Sequence, residues 1–237
     1  MSPRTTGRPP REPLTRQRVL DAAVALADAG GLETLSMRRL GEAIGVEAMS
    51  LYNHVANKEA LLDGMVDLVF AEVELPVPGD RWRPAMRSRA VSMRLALARH
   101  PWAIGLMESR SAPGPATLRH HDAVLGCLRR DGFSLVLTAH AVSVIDSYVY
   151  GFALQEKTLP VGSPEETAGL ADAIMSGFGD GEYPYLTEIA TAHVMRPGYS
   201  YGDEFEYGLD LVLDGLRQAA DRPQGTAPSE GDAAPGL

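Results

Sequence analysis

The sequence predicts an all-α fold in two parts, a short helical head followed by a larger helical body. Three observations predict it. Apolar residues recur at three- and four-residue spacing in the segments between turns. Capping residues precede those segments, and glycine or proline follows them. Nowhere does an alternation of apolar and polar residues suggest a strand.

Pro3, Pro9, Pro10 and Pro13 keep the start of the chain out of helix, so residues 1–14 read as a flexible arm. Thr15 caps a first helix with Val19, Ala23, Leu26 and Ala27 on one face, and Gly30-Gly31 ends it. Ser36 caps a second through Ile44, ended by Gly45, and a third runs from about Ala48 to Val55. Asn57 caps a long fourth helix bearing Leu61, Leu62, Met65, Leu68 and Val69, stopped before Pro76. The loop from Pro76 to Pro84 is the expected domain boundary, which separates a head of residues 15–75 from a body of residues 76–220.

In the body, helices are expected over Ala85 to Arg99, Trp102 to Glu108, Ala116 to Asp131 and Ser134 to Glu156. Ser163-Pro164-Glu165-Glu166 combines an N-cap, a first-turn proline and a capping-box glutamate, so another helix starts there. Two more cover Tyr185 to Met195 and Asp203 to Ala220. Residues 221–237 are proline, glycine, alanine and acid, the composition of a disordered tail.

A net charge of −9 argues against a nucleic-acid binder until its distribution is read. Residues 1–20 hold five arginines against one glutamate, whereas residues 61–237 hold fourteen basic and twenty-four acidic residues. A basic end on an acidic body suits phosphate contact at that end alone. The single cysteine, Cys127, excludes an internal disulfide and points to a reducing, cytoplasmic setting, with the thiol acting as a small hydrophobe. The most apolar stretch, Leu135 to Leu154, carries His140 and Asp146, so no membrane span is expected.

The informative segment is Leu40 to Lys58. Leu40, Ile44, Val46 and Leu51 are placed to form a small core between two short helices, Gly41 to let them cross closely, and Gly45 to turn with positive φ. That leaves Glu47, Ala48, Met49, Ser50, Tyr52, Asn53 and His54 outward, short or planar groups of the size a major groove admits.

Met37-Arg38-Arg39-Leu40, Gly45-Val46, Leu51-Tyr52-Asn53-His54-Val55 and Asn57-Lys58-Glu59-Ala60-Leu61-Leu62 together resemble the tetracycline repressor (TetR) family, over residues 15–65. A weaker likeness continues through Trp82, Ser92-Met93-Arg94, Asp131-Gly132-Phe133-Ser134 and Tyr207-Gly208-Leu209. The resemblance implies a homodimeric repressor with a helix-turn-helix head and a C-terminal ligand-binding and dimerisation domain, released from a palindromic operator by a small hydrophobic molecule. It implies DNA contacts from Arg38, Ala48, Met49, Ser50, Tyr52 and His54, and a phosphate contact from Lys58. Arg38 is either the bidentate guanine reader or a solvated helix-face charge; Tyr52 and Lys58 position the protein rather than read sequence. A minor-groove role for Arg4 or Arg8 is weighed against plain disorder.

Ala139, Ser143, Ser147 and Gly151 repeat every four residues, a small-residue stripe that lets helices approach closely, across a dimer or within one subunit. Met93, Trp102, Met107, His121, His140, Tyr148 and Phe152 mix apolar bulk with polar tips, as ligand cavities do, and are the candidate pocket. By chain position Met107 stands where tetracycline repressors hold magnesium through a histidine; a thioether is a poor partner for a hard cation, so no metal or cofactor is expected. The adjacent His120-His121 pair lacks metal spacing on a helix and reads as surface. Asp146, on an apolar helix, needs a partner, across a dimer or on a cationic ligand. The competing reading is a helical enzyme with a degenerate DNA-binding head, but no nucleophile elbow, paired metal spacing or phosphate-binding glycine loop accompanies its Ser, His and Asp residues.

Overall fold

The computed structural model describes residues 13–159, 163–179 and 181–221. Ten α-helices are found among them, with no strand. In chain order they are α1 (Arg16–Gly30), α2 (Met37–Ile44), α3 (Ala48–Leu51), α4 (Lys58–Ala71), α5 (Trp82–Arg99), α6 (Pro115–Arg130), α7 (Leu135–Thr158), α8 (Pro164–Met175), α9 (Pro184–Ile189) and α10 (Glu204–Asp221). The four expected caps form, at Thr15, Ser36, Asn57 and Ser163, and Ser134 adds a fifth. The side chains of Thr15, Ser36, Asn57, Ser134 and Ser163 accept from the backbone N–H groups of Arg18, Arg39, Ala60, Leu137 and Glu166, satisfying one orphan donor at each helix start.

The chain divides into two compact units. The first holds residues up to Val73 together with Leu95–His120; the second holds Glu74–Arg94 and the residues from His121 on. Both α5 and α6 contribute residues to each unit.

In the first unit, α1 packs on α2 and α4 around Val19, Leu20, Ala23, Leu61, Met65, Val69 and Phe70, all buried. Gly64 brings α4 close to α1, since a methyl there would lie 2.6 Å from the Leu20 side chain. In the second unit α7 and α10 form the main contact, through Ile145, Val149, Phe152, Phe205, Leu209 and Leu213. Tyr148 donates to the Phe205 carbonyl at 2.9 Å and lies against Gly208, where any side chain would collide with its ring. By length and composition α7 is apolar enough to cross a membrane. It nevertheless buries a core face in this unit, including the charged Asp146.

Four expectations need correction. The third helix stops at Leu51 rather than near Val55; beyond it the N–H groups of His54 and Val55 both bond the Leu51 carbonyl, a tight turn that leads into the Asn57 cap. The expected helix over Trp102–Glu108 is a single 3-10 turn, Pro101–Ala103, followed by turns; Gly105 lies in mid-segment, where glycine lowers helical preference. The helix expected over Tyr185–Met195 is α9, followed by a π-helical turn at Ala190–Val194. His120 is not on the surface but fully buried, its ring 5.0 Å from Phe70, since it falls on the inner face of α6 with Ala116, Val124, Cys127 and Leu128. Cys127 is a buried free thiol, and burial pushes its pKa up.

Candidate nucleic-acid interface

The turn between α2 and α3 follows from two glycines. Gly45 adopts φ 74° and ψ 35°, the left-handed conformation in which a side chain is strained, and its N–H returns to the carbonyls of Gly41 and Glu42. Val46 then bonds the Gly41 carbonyl at 2.9 Å. A Cβ on Gly41 would stand 2.8 Å from the Val46 oxygen and 3.2 Å from the Ala48 nitrogen, so only glycine lets α3 cross α2 this closely. Leu40, Leu51 and Val55 are buried beneath, with Ile44 and Val46 half-buried at the edge.

With those residues turned inward, the outward set is the expected one. Met49 is 74% exposed and Tyr52 44%, Arg38, Asn53 and Lys58 are exposed, and Ala48, Ser50 and His54 are half-buried. All eight sit on α2, α3, the turn after α3 and the first residue of α4. The Arg38 guanidinium meets Glu42 one turn on at 2.7 Å, an exposed pair worth under about 1 kcal/mol that yields readily to a stronger acceptor. Arg4 and Arg8 lie outside the described residues.

Helix α4 is held along one polar face by the chain that follows α5. Arg110 donates from Nε to Asp63 at 2.6 Å and from a terminal nitrogen to Glu59 at 2.6 Å, and these two carboxylates raise its pKa. Asp67 accepts from both the backbone and hydroxyl of Thr117. At the far end, His100 lies between two carboxylates, with Nδ1 2.8 Å from Asp28 and Nε2 3.0 Å from Glu72. The Trp102 indole also donates to Asp28, at 2.6 Å. Burial pushes the Glu72 pKa up, but hydrogen bonds from Arg99 and His100 outweigh it and leave the group below the usual range. Sequence reasoning missed Arg110 and His100; both sit in irregular segments, where helical periodicity says nothing about which side chain faces inward.

The seven candidate pocket residues divide between the units. Trp102 and Met107 are buried in the first, and Met93, His121, His140, Tyr148 and Phe152 belong to the second. Met93 and Phe152 are buried, Tyr148 and His121 half-buried, and His140 exposed. Two open clefts, of about 340 Å³ beside the Glu74–Ser88 segment and about 430 Å³ between α1 and α4, are lined by none of the seven. Asp146 finds its partner inside its own chain: Arg89, 1% exposed, donates to it at 2.5 Å. Arg89 lies one turn from Met86 and Met93 on the buried stripe of α5, a position that already marked it as inward.

Comparison with known proteins agrees in both halves. Residues 19–65 match bacterial regulatory proteins of the tetR family, and residues 75–220 match the tetracyclin repressor-like C-terminal domain. The HTH-type transcriptional repressor DrrR1 of Streptomyces coeruleorubidus is 35% identical, over 90% of this chain and 81% of its own. The class D tetracycline repressor protein of Escherichia coli is 31% identical over 67% of this chain and 71% of its own. Among solved structures, the Streptomyces coelicolor TetR family protein ActR, in complex with actinorhodin, superposes with a TM-score of 0.73 at 28% identity, covering 89% of this chain and all of that one.

Proposed function

The chain belongs to the tetracycline repressor family of bacterial transcriptional regulators, and on that premise we propose how it works: as a cytoplasmic homodimeric repressor whose head docks α3 in the major groove and whose body takes a small hydrophobic effector. The enzyme reading has no support. The observation that carries the DNA-binding reading is the α2–α3 crossing. Gly41 and Gly45 turn Leu40 and Leu51 inward and leave Arg38, Ala48, Met49, Ser50, Tyr52, Asn53, His54 and Lys58 available to a duplex. Residues 15–75 are the DNA-binding part, and residues 76–220 the effector-binding and dimerisation part.

Dimerisation is proposed through α7 and α10. The stripe of Ala139, Ser143 and Ser147 faces outward on α7, beside exposed Val136 and Val144. On α10, Tyr207 and Leu211 are likewise exposed. Small residues beside exposed apolar ones suit a close four-helix contact with a second copy. Two heads so joined would address half-sites about 34–36 Å apart.

The effector is proposed to be a small organic molecule, of the general kind that ActR holds in its complex with actinorhodin, and not a magnesium chelate, because Met107 is a buried thioether. Its binding would be felt at the head through α4, whose carboxylate face is held by Arg110, Thr117 and His100. A hundredfold loss of operator affinity requires only about 2.7 kcal/mol of coupling. Gel-shift titration on the intergenic DNA upstream of the gene tests the reading. Salt-sensitive, sequence-selective binding is expected, and its absence at every protein concentration would refute it.

A further inference from the structure

We propose that Met49 reads the 5-methyl group of thymine, so that each half-site of the operator carries a thymine opposite the start of α3. The inference rests on the DNA-binding reading above and adds what that interface selects for.

The chemistry at the start of α3 is narrow. In the major groove a guanidinium or ammonium selects guanine, a planar amide selects adenine, and an apolar group selects the thymine methyl. Ala48, Met49 and Ser50, the first three residues of α3, offer a methyl, a thioether and a hydroxyl. None of these forms a two-point hydrogen bond with a base edge. The first planar amide, Asn53, lies beyond the end of the helix.

Met49 is 74% exposed, more than any other large apolar side chain described in this unit. Leu40, Leu51 and Val55 already close the core beneath it, so the fold gains nothing from a methionine there. One turn on, Tyr52 is also exposed, and Lys58 follows at the start of α4; apolar reading at Met49 is thus flanked by groups suited to phosphate. An unbranched, polarisable thioether adapts its rotamer to a methyl group without requiring exact placement of the backbone. Loss of one buried methyl weakens such a contact about fourfold, and the two half-sites together on the order of tenfold.

The test uses the full chain to select duplexes from a random pool. The recovered operator is then remade with deoxyuridine in place of thymine, one symmetric pair at a time, which deletes the methyl and keeps every hydrogen-bonding group. One pair is expected to weaken binding on the order of tenfold, at an energy of about 0.8 kcal/mol per methyl. Met49→Ala should bind the thymine and deoxyuridine duplexes alike, while Met49→Leu retains the discrimination and covers the case where the alanine variant binds too weakly to measure. Equal binding of every deoxyuridine duplex by the unsubstituted protein, or a full-sized loss that persists in Met49→Ala, overturns the proposal while leaving DNA binding intact. Recovery of no preferred duplex would overturn the DNA-binding reading and this proposal with it.

Discussion

Replacing Arg89 by methionine removes the counter-ion of a carboxylate set deep in α7. Arg89 is 1% exposed and Asp146 8%, and their 2.5 Å contact is direct, so solvent screens the pair little. Removing one member of a buried pair costs about 3–5 kcal/mol. Against a total stability of about 5–15 kcal/mol the loss is severe. The double variant Arg89→Met with Asp146→Leu should recover to within about 1 kcal/mol of the unsubstituted protein, since an apolar pair of similar volume has no charge to desolvate. Urea unfolding followed by circular dichroism at one fixed protein concentration measures all three. A single-variant loss below about 1 kcal/mol, or a double variant no better than the single, would refute the assignment of this pair as a charge-compensated core contact.

Lys58→Ala should weaken binding to all DNA sequences alike and reduce the salt slope of log K by about 1, measured by fluorescence anisotropy across salt concentrations. Gly45→Ala meets no atom within 4 Å, so its cost is backbone strain alone, about 1–2 kcal/mol, visible as a lowered urea midpoint. Glu72, with its pKa depressed, contributes stability above the usual glutamate range that is lost as pH falls through its folded value; Glu72→Gln should therefore flatten the acid limb of the stability profile below the usual glutamate range.

What could be read from the residues followed the physics of regular helices. Thr15, Ser36, Asn57 and Ser163 announced their helices because a cap is a local event, settled by one side chain and a donor three residues on. Gly41 and Gly45 announced the crossing for a similar reason: close approach and positive φ are single-residue requirements. Adjacency of His120 and His121 carries no information about burial, because the face of α6 decides it one residue at a time. The Arg89 partner of Asp146 comes from 57 residues away, and Arg110 reaches Asp63 across 47; no local pattern encodes which distant cation arrives. The ligand pocket was the least legible part. Residue type, the basis of its seven candidates, does not distinguish Trp102, whose indole is already bonded to Asp28, from a side chain lining a cavity.

The carboxylates of α4 raise an electrostatic question that the geometry answers. Glu59, Asp63 and Asp67 follow Lys58 at four-residue intervals, an acidic row along the helix whose first residue is proposed to approach phosphate. Without a counter-ion they would oppose the lysine. Instead one guanidinium, that of Arg110, bonds both Glu59 and Asp63, and Thr117 takes Asp67. Arg110 is little exposed, with side-chain accessibility of 13%, so its neutralising effect is screened less than that of a free surface arginine. The same contacts that hold the segment 110–117 on α4 therefore also set the field beside Lys58. Under the phosphate contact proposed for Lys58, a shift of that segment should weaken DNA binding, because it frees the helix and uncovers negative charge beside the lysine.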